Sequence, residues 1–310
     1  MTANARWMQW VLALLGLLTA QALAGSRDFL VDADWLERHL DDERLVLLEV
    51  RYYPHRYFTV GHIPGAVQVE RFRDLGDNAG VPLVRFPSRA AFQATLRRWG
   101  VNDDSLIVIY DDSRTALASR LAYLLVLYGF DPGRVKILEG GTTEWTAFNA
   151  LSREPVIPRR GSVTLRPADR GLYVEWTEIY DRVLSRRDPQ VVLVDARPYA
   201  MYTGEVVKNA VRGGHIPGAV NVVSLDGTDA QTQKWLSVQA LERLYAGIPK
   251  DRTLIVYCHD GYRMALAWWQ LRSLGYRDVR LYNGGWAHWG NALSLPVVEG
   301  SSPYDEHYAL

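Results

Sequence analysis

The chain has one cysteine in 310 residues and no excess of either charge. Each scarcity removes a class of protein. A lone thiol, Cys258, cannot close an internal disulfide or build a cysteine-ligated metal site, and the seven histidines are scattered without ligand spacing. No metal is expected, and no cofactor; the Gly-x-x-x-x-Gly-Lys loop that cradles phosphates is also missing. With 35 basic and 35 acidic residues the formal charge is zero, so neither nucleic acid nor an anionic membrane surface is an expected partner. At 48% hydrophobic and 23% charged residues the composition is globular rather than disordered, and the length suits two ordinary domains.

One long apolar run stands at the start. Arg6 precedes the stretch Trp7 to Ala20, and Ala22 and Ala24 follow in Ala-x-Ala spacing. This is the pattern of a secretory signal peptide over residues 1–24, cleaved near Ala24 and giving the only membrane contact. An uncleaved anchor usually needs about 20 apolar residues, more than this segment holds. The expected location is therefore secreted or periplasmic. There the unpaired thiol gains meaning, because oxidising compartments favour paired cysteines and a solitary one points to reactivity or an intermolecular partner.

The remaining chain carries the same signals twice in the same order. The first copy has Leu47-Leu48-Glu49-Val50-Arg51, Gly61-His62-Ile63-Pro64-Gly65-Ala66, Leu106 to Asp111, then Gly140-Gly141 with Trp145. The second has Val192-Leu193-Val194-Asp195-Ala196-Arg197, Gly214-His215-Ile216-Pro217-Gly218-Ala219, Leu254 to Cys258, then Gly284-Gly285 with Trp289. Short β-branched runs alternate with helical stretches, which predicts an α/β fold with mainly parallel sheets flanked by helices. The expected domains are 25–150 and 171–310. Residues 151–170, with Pro155, Pro158, Pro167 and Gly161, have linker composition.

Cys258 falls where a strand pattern ends and a helical one begins, in Tyr257-Cys258-His259-Asp260-Gly261-Tyr262-Arg263. Backbone N–H groups and a helix dipole at such a turn favour the thiolate, whereas the packing alternative is a small buried hydrophobe. Arg263 can reach the anion that Cys258 holds. His259 and Asp260 flank the thiol, Gly261 permits a backbone conformation closed to other residues, and Tyr262 forms part of the pocket rim.

In these residues the chain resembles the tandem-domain rhodaneses, which include thiosulfate and 3-mercaptopyruvate sulfurtransferases. The resemblance rests on Asp195-x-Arg197, the two Gly-His-Ile-Pro-Gly-Ala motifs, Tyr257-Cys258, and Gly284-Gly285 with Trp286 and Trp289. It implies two tandem rhodanese-like domains, the C-terminal one catalytic through a Cys258 persulfide. The N-terminal one is implied to be non-catalytic, with Asp111 standing where the second copy has Cys258. It also implies His259, Asp260, Gly261, Tyr262 and Arg263 as the substrate-binding loop, and Asp195 with Arg197 as a supporting ion pair beneath it. Expected partners are a small sulfur-containing donor such as thiosulfate and a thiol or cyanide-like acceptor, with a protein acceptor kept open beside them. Met201 stands where vertebrate-type thiosulfate enzymes carry a substrate-contacting arginine, leaving Arg212 or Lys208 to replace it.

Two rivals remain at this stage. Cysteine phosphatases place five residues between cysteine and arginine to wrap a phosphate; here there are four. The other is a periplasmic persulfide carrier or redox-sensing module without turnover.

Overall fold

The computed structural model describes residues 25–77 and 85–305; the expected signal peptide, residues 1–24, lies outside them. The apolar runs become the strands of two separate sheets. The first contains β1 (Leu30–Val31), β2 (Leu45–Val50), β3 (Val67–Val69), β4 (Leu106–Asp111) and β5 (Val135–Leu138). The second contains β6 (Tyr173–Val174), β7 (Val191–Asp195), β8 (Ala219–Asn221), β9 (Thr253–Tyr257) and β10 (Val279–Tyr282). Both are five-stranded and parallel, with orders β1-β5-β4-β2-β3 and β6-β10-β9-β7-β8. The orders are the same, so the sequence repeat is a repeat of topology.

β4 and β9 lie in the middle of their sheets and are buried along nearly their whole length, which is why they read as unbroken apolar runs rather than alternating ones. Each feeds a twelve-residue helix, Ala116–Leu127 and Tyr262–Ser273. These helices are buried on almost all sides because they pack on their own sheets and on each other. Trp269 Nε1 donates to the Ser119 carbonyl at 3.2 Å across this contact. A single hydrophobic cluster accordingly runs through both copies.

Residues 151–170 form no regular helix or strand, as their prolines dictate, yet they are not loose. Val163 and Leu165 are buried, and the backbone bonds back to Val101 and Tyr128 of the first copy. The two motif histidines are fold residues. His62 stacks on Tyr57 and His215 on Tyr202, each with ring centroids 3.7 Å apart. Each also bonds the carbonyl of its own tyrosine through Nδ1.

Candidate active site

Cys258 directly follows β9, and Gly261 closes the turn into the helix Tyr262–Ser273. Gly261 has φ +100°, and a Cβ there would stand 2.6 Å from Arg120 Nη1 of the first copy. Glycine is thus required both by conformation and by the neighbour beneath it. The turn aims backbone amides at the sulfur: the Gly261 N–H donates to Sγ at 3.1 Å, and the Met264 N–H also bonds it. On the other side Gly285, at φ +57°, lets the next loop approach so closely that a Cβ would meet the His259 and Cys258 carbonyl oxygens at 2.6 and 2.7 Å. The Trp286 and Ala287 amides then cap those carbonyls at 2.8 and 3.0 Å.

The thiol differs from expectation in one respect. The turn was expected to lower its pKa, but Cys258 is wholly buried, and burial, with the Asp260 carboxylate adding, pushes the thiol up. The Met264 and Gly261 amides and the Arg263 guanidinium oppose this without overcoming it. Sγ itself has no open surface, whereas its neighbours His259, Asp260, Tyr262 and Arg263 line a cavity of about 1150 Å³ between the two copies. Burial also pushes the His259 imidazole down, with Arg197, Arg263 and Lys208 adding against Asp260. His259 is therefore neutral near pH 7, and its buried Nδ1 has no hydrogen-bond partner.

Asp195 and Arg197 form a buried pair at the end of β7. Arg197 Nε lies 2.9 Å from both carboxylate oxygens, and Nη2 donates to the Gly214 carbonyl at 2.7 Å. The guanidinium also lies over Trp286, 4.4 Å from the ring centroid. The pair ties three segments together: the strand end, the Gly-His-Ile-Pro turn and the Gly-Gly helix. Glu49 and Arg51 repeat it in the first copy, with Nε to Oε1 at 2.8 Å and Nη2 to the Gly61 carbonyl at 2.6 Å.

Of the two candidate replacements for the missing arginine, only one faces the cavity. Arg212 spends its guanidinium on the carbonyls of Trp289, Gly290, Ala292 and Leu295 at 2.6 to 3.3 Å, whereas Lys208 lines the cavity with Met201. The remaining wall is contributed by the first copy. Tyr52, Arg71, Phe72 and Arg114 line it, and no linear signal links them to Cys258, because only the packing of the two central helices brings them there. Counting both copies, four cations (Arg71, Arg114, Lys208, Arg263) face two carboxylates (Asp112, Asp260), which suits an anionic guest.

In the first copy the corresponding turn is closed from within. Asp111 accepts from the N–H groups of Ser113 and Thr115 at 2.9 Å through Oδ1, and from Leu117 and Ala118 at 2.7 and 2.9 Å through Oδ2. Burial lifts this carboxyl to about 6 while those amides hold it down, so it is anionic at neutral pH. The amide nest is retained, but a fixed anion fills it.

Comparison with known proteins agrees with this geometry. The rhodanese-like domain family matches residues 32–148 and 180–292, and the chain belongs to it. The sulfur carrier protein TtuD of Thermus thermophilus is 31% identical over 291 residues, covering 88% of this chain and 97% of that one. A thiosulfate sulfurtransferase of Corynebacterium glutamicum is 31% identical over 287 residues, covering 88% and 91%. Among solved structures, SseA of Escherichia coli, a 3-mercaptopyruvate enzyme, superposes with a TM-score of 0.73 at 28% identity, covering 83% of this chain and 98% of that one. The protein is a tandem-domain sulfurtransferase.

Proposed function

We propose that the protein moves a sulfane sulfur from a donor such as thiosulfate to a thiophilic acceptor through a persulfide on Cys258. In the first half-reaction the Cys258 thiolate attacks the outer sulfur of thiosulfate; the S–S bond to the sulfite sulfur breaks, and sulfite leaves with the bonding pair. In the second, an acceptor thiolate or cyanide attacks the outer persulfide sulfur, and the cysteine thiolate is released. Charge balances in each step and no external oxidant enters. The supporting observation is the convergence of the Gly261 and Met264 amides on Sγ at the mouth of a helix, with Arg263 beside them. His259, Asp260, Gly261, Tyr262 and Arg263 form the substrate loop on this reading, and Asp195 with Arg197 holds its base.

Mass spectrometry tests it. After treatment with thiosulfate, the peptide containing Cys258 is expected to gain one sulfur atom and to lose it on adding cyanide, with thiocyanate formed; Cys258→Ala gives neither. No adduct with any sulfane donor would overturn the proposal. The carrier reading is the alternative, since the Thermus relative is named a sulfur carrier and Sγ here is covered. Loading without turnover on small acceptors would favour it. We further propose export with removal of residues 1–24, for which N-terminal sequencing of protein recovered outside the cytoplasm should read from Gly25.

A further inference from the structure

Arg71 is a cavity-lining cation that the sulfur-transfer chemistry does not use. It follows β3 in the first copy and is 7% exposed. Its guanidinium is held between two aromatic rings, 3.9 Å from the Tyr52 centroid and 4.0 Å from that of Phe72. Among the described residues it pairs with no carboxylate, and its buried Nε has no hydrogen-bond partner. The nearby acid, Asp112, accepts from the Tyr52 N–H and from Arg56 instead. Burying part of a guanidinium without an anion is costly, and aromatic faces compensate only in part, leaving the Nε–H of the planar donor fork unsatisfied. Such a fork matches a carboxylate.

The position of Arg71 relates it to the sulfur site. Its carbonyl accepts from the Tyr262 hydroxyl at 3.2 Å, and its guanidinium lies 5.7 Å from the Tyr262 ring centroid. Arg71 therefore stands one aromatic ring away from the loop that carries Cys258, across a cavity whose volume is that of sites for organic molecules rather than for a five-atom anion. The wall also carries the apolar Met201, Pro198, Leu117 and Leu225.

We propose that Arg71 is a specificity residue: it binds the carboxylate at the far end of an organic thiol or persulfide whose sulfur reaches Cys258. The class of substrate is a thiol compound with an apolar or peptide-like body and a remote carboxylate. This rests on the sulfur-transfer reading for its sulfur end only. The non-catalytic copy thus supplies the group that selects the substrate.

The test separates the two claims by measuring binding without chemistry. Calorimetry on the full chain compares S-methyl mercaptohexanoate, an unreactive thioether, with its carboxamide. The wild type is expected to bind the carboxylate on the order of ten- to a hundredfold more tightly. Arg71→Met should erase the difference by weakening the carboxylate alone, and Arg71→Lys should restore part of it. Should Arg71→Met fail to fold by thermal melting, Arg71→Gln carries the same comparison. In steady state with mercaptohexanoate and mercaptohexanamide as acceptors, the loss should fall on KM rather than kcat. Equal binding of acid and amide by the wild type, or a preference that survives Arg71→Met, overturns the assignment. If the preference is present but Cys258 takes up no sulfur from any donor, the transfer reading falls and the Arg71 site stands.

Discussion

Asp260→Asn isolates the electrostatics of the thiol. In the folded protein the Cys258 pKa is raised by burial first and by the Asp260 carboxylate second, against two amides and Arg263. A raised thiol pKa means that the thiolate fraction grows only as pH climbs past the ordinary cysteine range of about 8.5. A like charge nearby disfavours the thiolate, and Asp260 is partly open to the cavity, so solvent screens part of its effect. Removing the charge should move the titration down.

The rate follows less than proportionally. A lower pKa gives more thiolate at neutral pH, but each thiolate is less nucleophilic at a Brønsted slope of about 0.5, so the rate should rise by roughly the square root of the gain in thiolate. Because the chain has one cysteine, alkylation by neutral iodoacetamide from neutral to alkaline pH reads this site alone. On the persulfide reading, loading from thiosulfate should gain more, since a carboxylate also repels that dianion. Arg263→Gln should shift the midpoint the other way. A wild-type midpoint below the ordinary cysteine range, or an unmoved or raised midpoint in Asp260→Asn, would refute the view that burial and Asp260 govern the thiol.

Gly285→Ala is expected to abolish sulfur loading and to cost on the order of 2–4 kcal/mol in chemical denaturation, because its Cβ would collide with the backbone carbonyls of Cys258 and His259. Arg197→Met leaves Asp195 buried without its partner and should cost about 3–5 kcal/mol by the same measurement. Asp111→Asn presents an NH₂ to amides that now meet a carboxylate oxygen; relief from burying a charge offsets part of the loss, and a fall of about 2 kcal/mol is expected, with stability equal to or above the wild type counting against the nest.

The fold was legible because its signals are local. β4 and β9 are continuous apolar runs, and the paired Gly-His-Ile-Pro-Gly-Ala turns mark equivalent corners of two sheets. That Cys258 to Arg263 join a strand to a helix was legible for the same reason, these residues being contiguous. What escaped was everything decided by packing. The turn motif carries the amides that favour a thiolate, but not the packing around it, and burial of the sulfur reverses the sign of the shift. Arg212 has the right residue type and a suitable place in sequence, yet four carbonyls of the segment 289–295 claim its guanidinium. Arg71 and Arg120 lie more than a hundred residues before Cys258, and their nearness to the loop is a product of the interdomain interface.

The two copies show how one turn serves two ends. In each, a strand at the centre of a parallel sheet delivers a side chain, Asp111 or Cys258, to the amides of the following turn and helix. A carboxylate has two oxygens and takes four of those amides at once, which leaves no donor for a guest. A sulfur is a single atom taking two. On the persulfide reading, that difference leaves donors for a second sulfur and its charge in the C-terminal copy. With its own nest filled, the N-terminal copy still matters to the site: Arg120 lies under Gly261, and Tyr52, Arg71 and Phe72 form the far wall. An exposed surface mutation in the first copy should therefore be neutral, whereas a change at Arg71 should alter which molecules the second copy accepts.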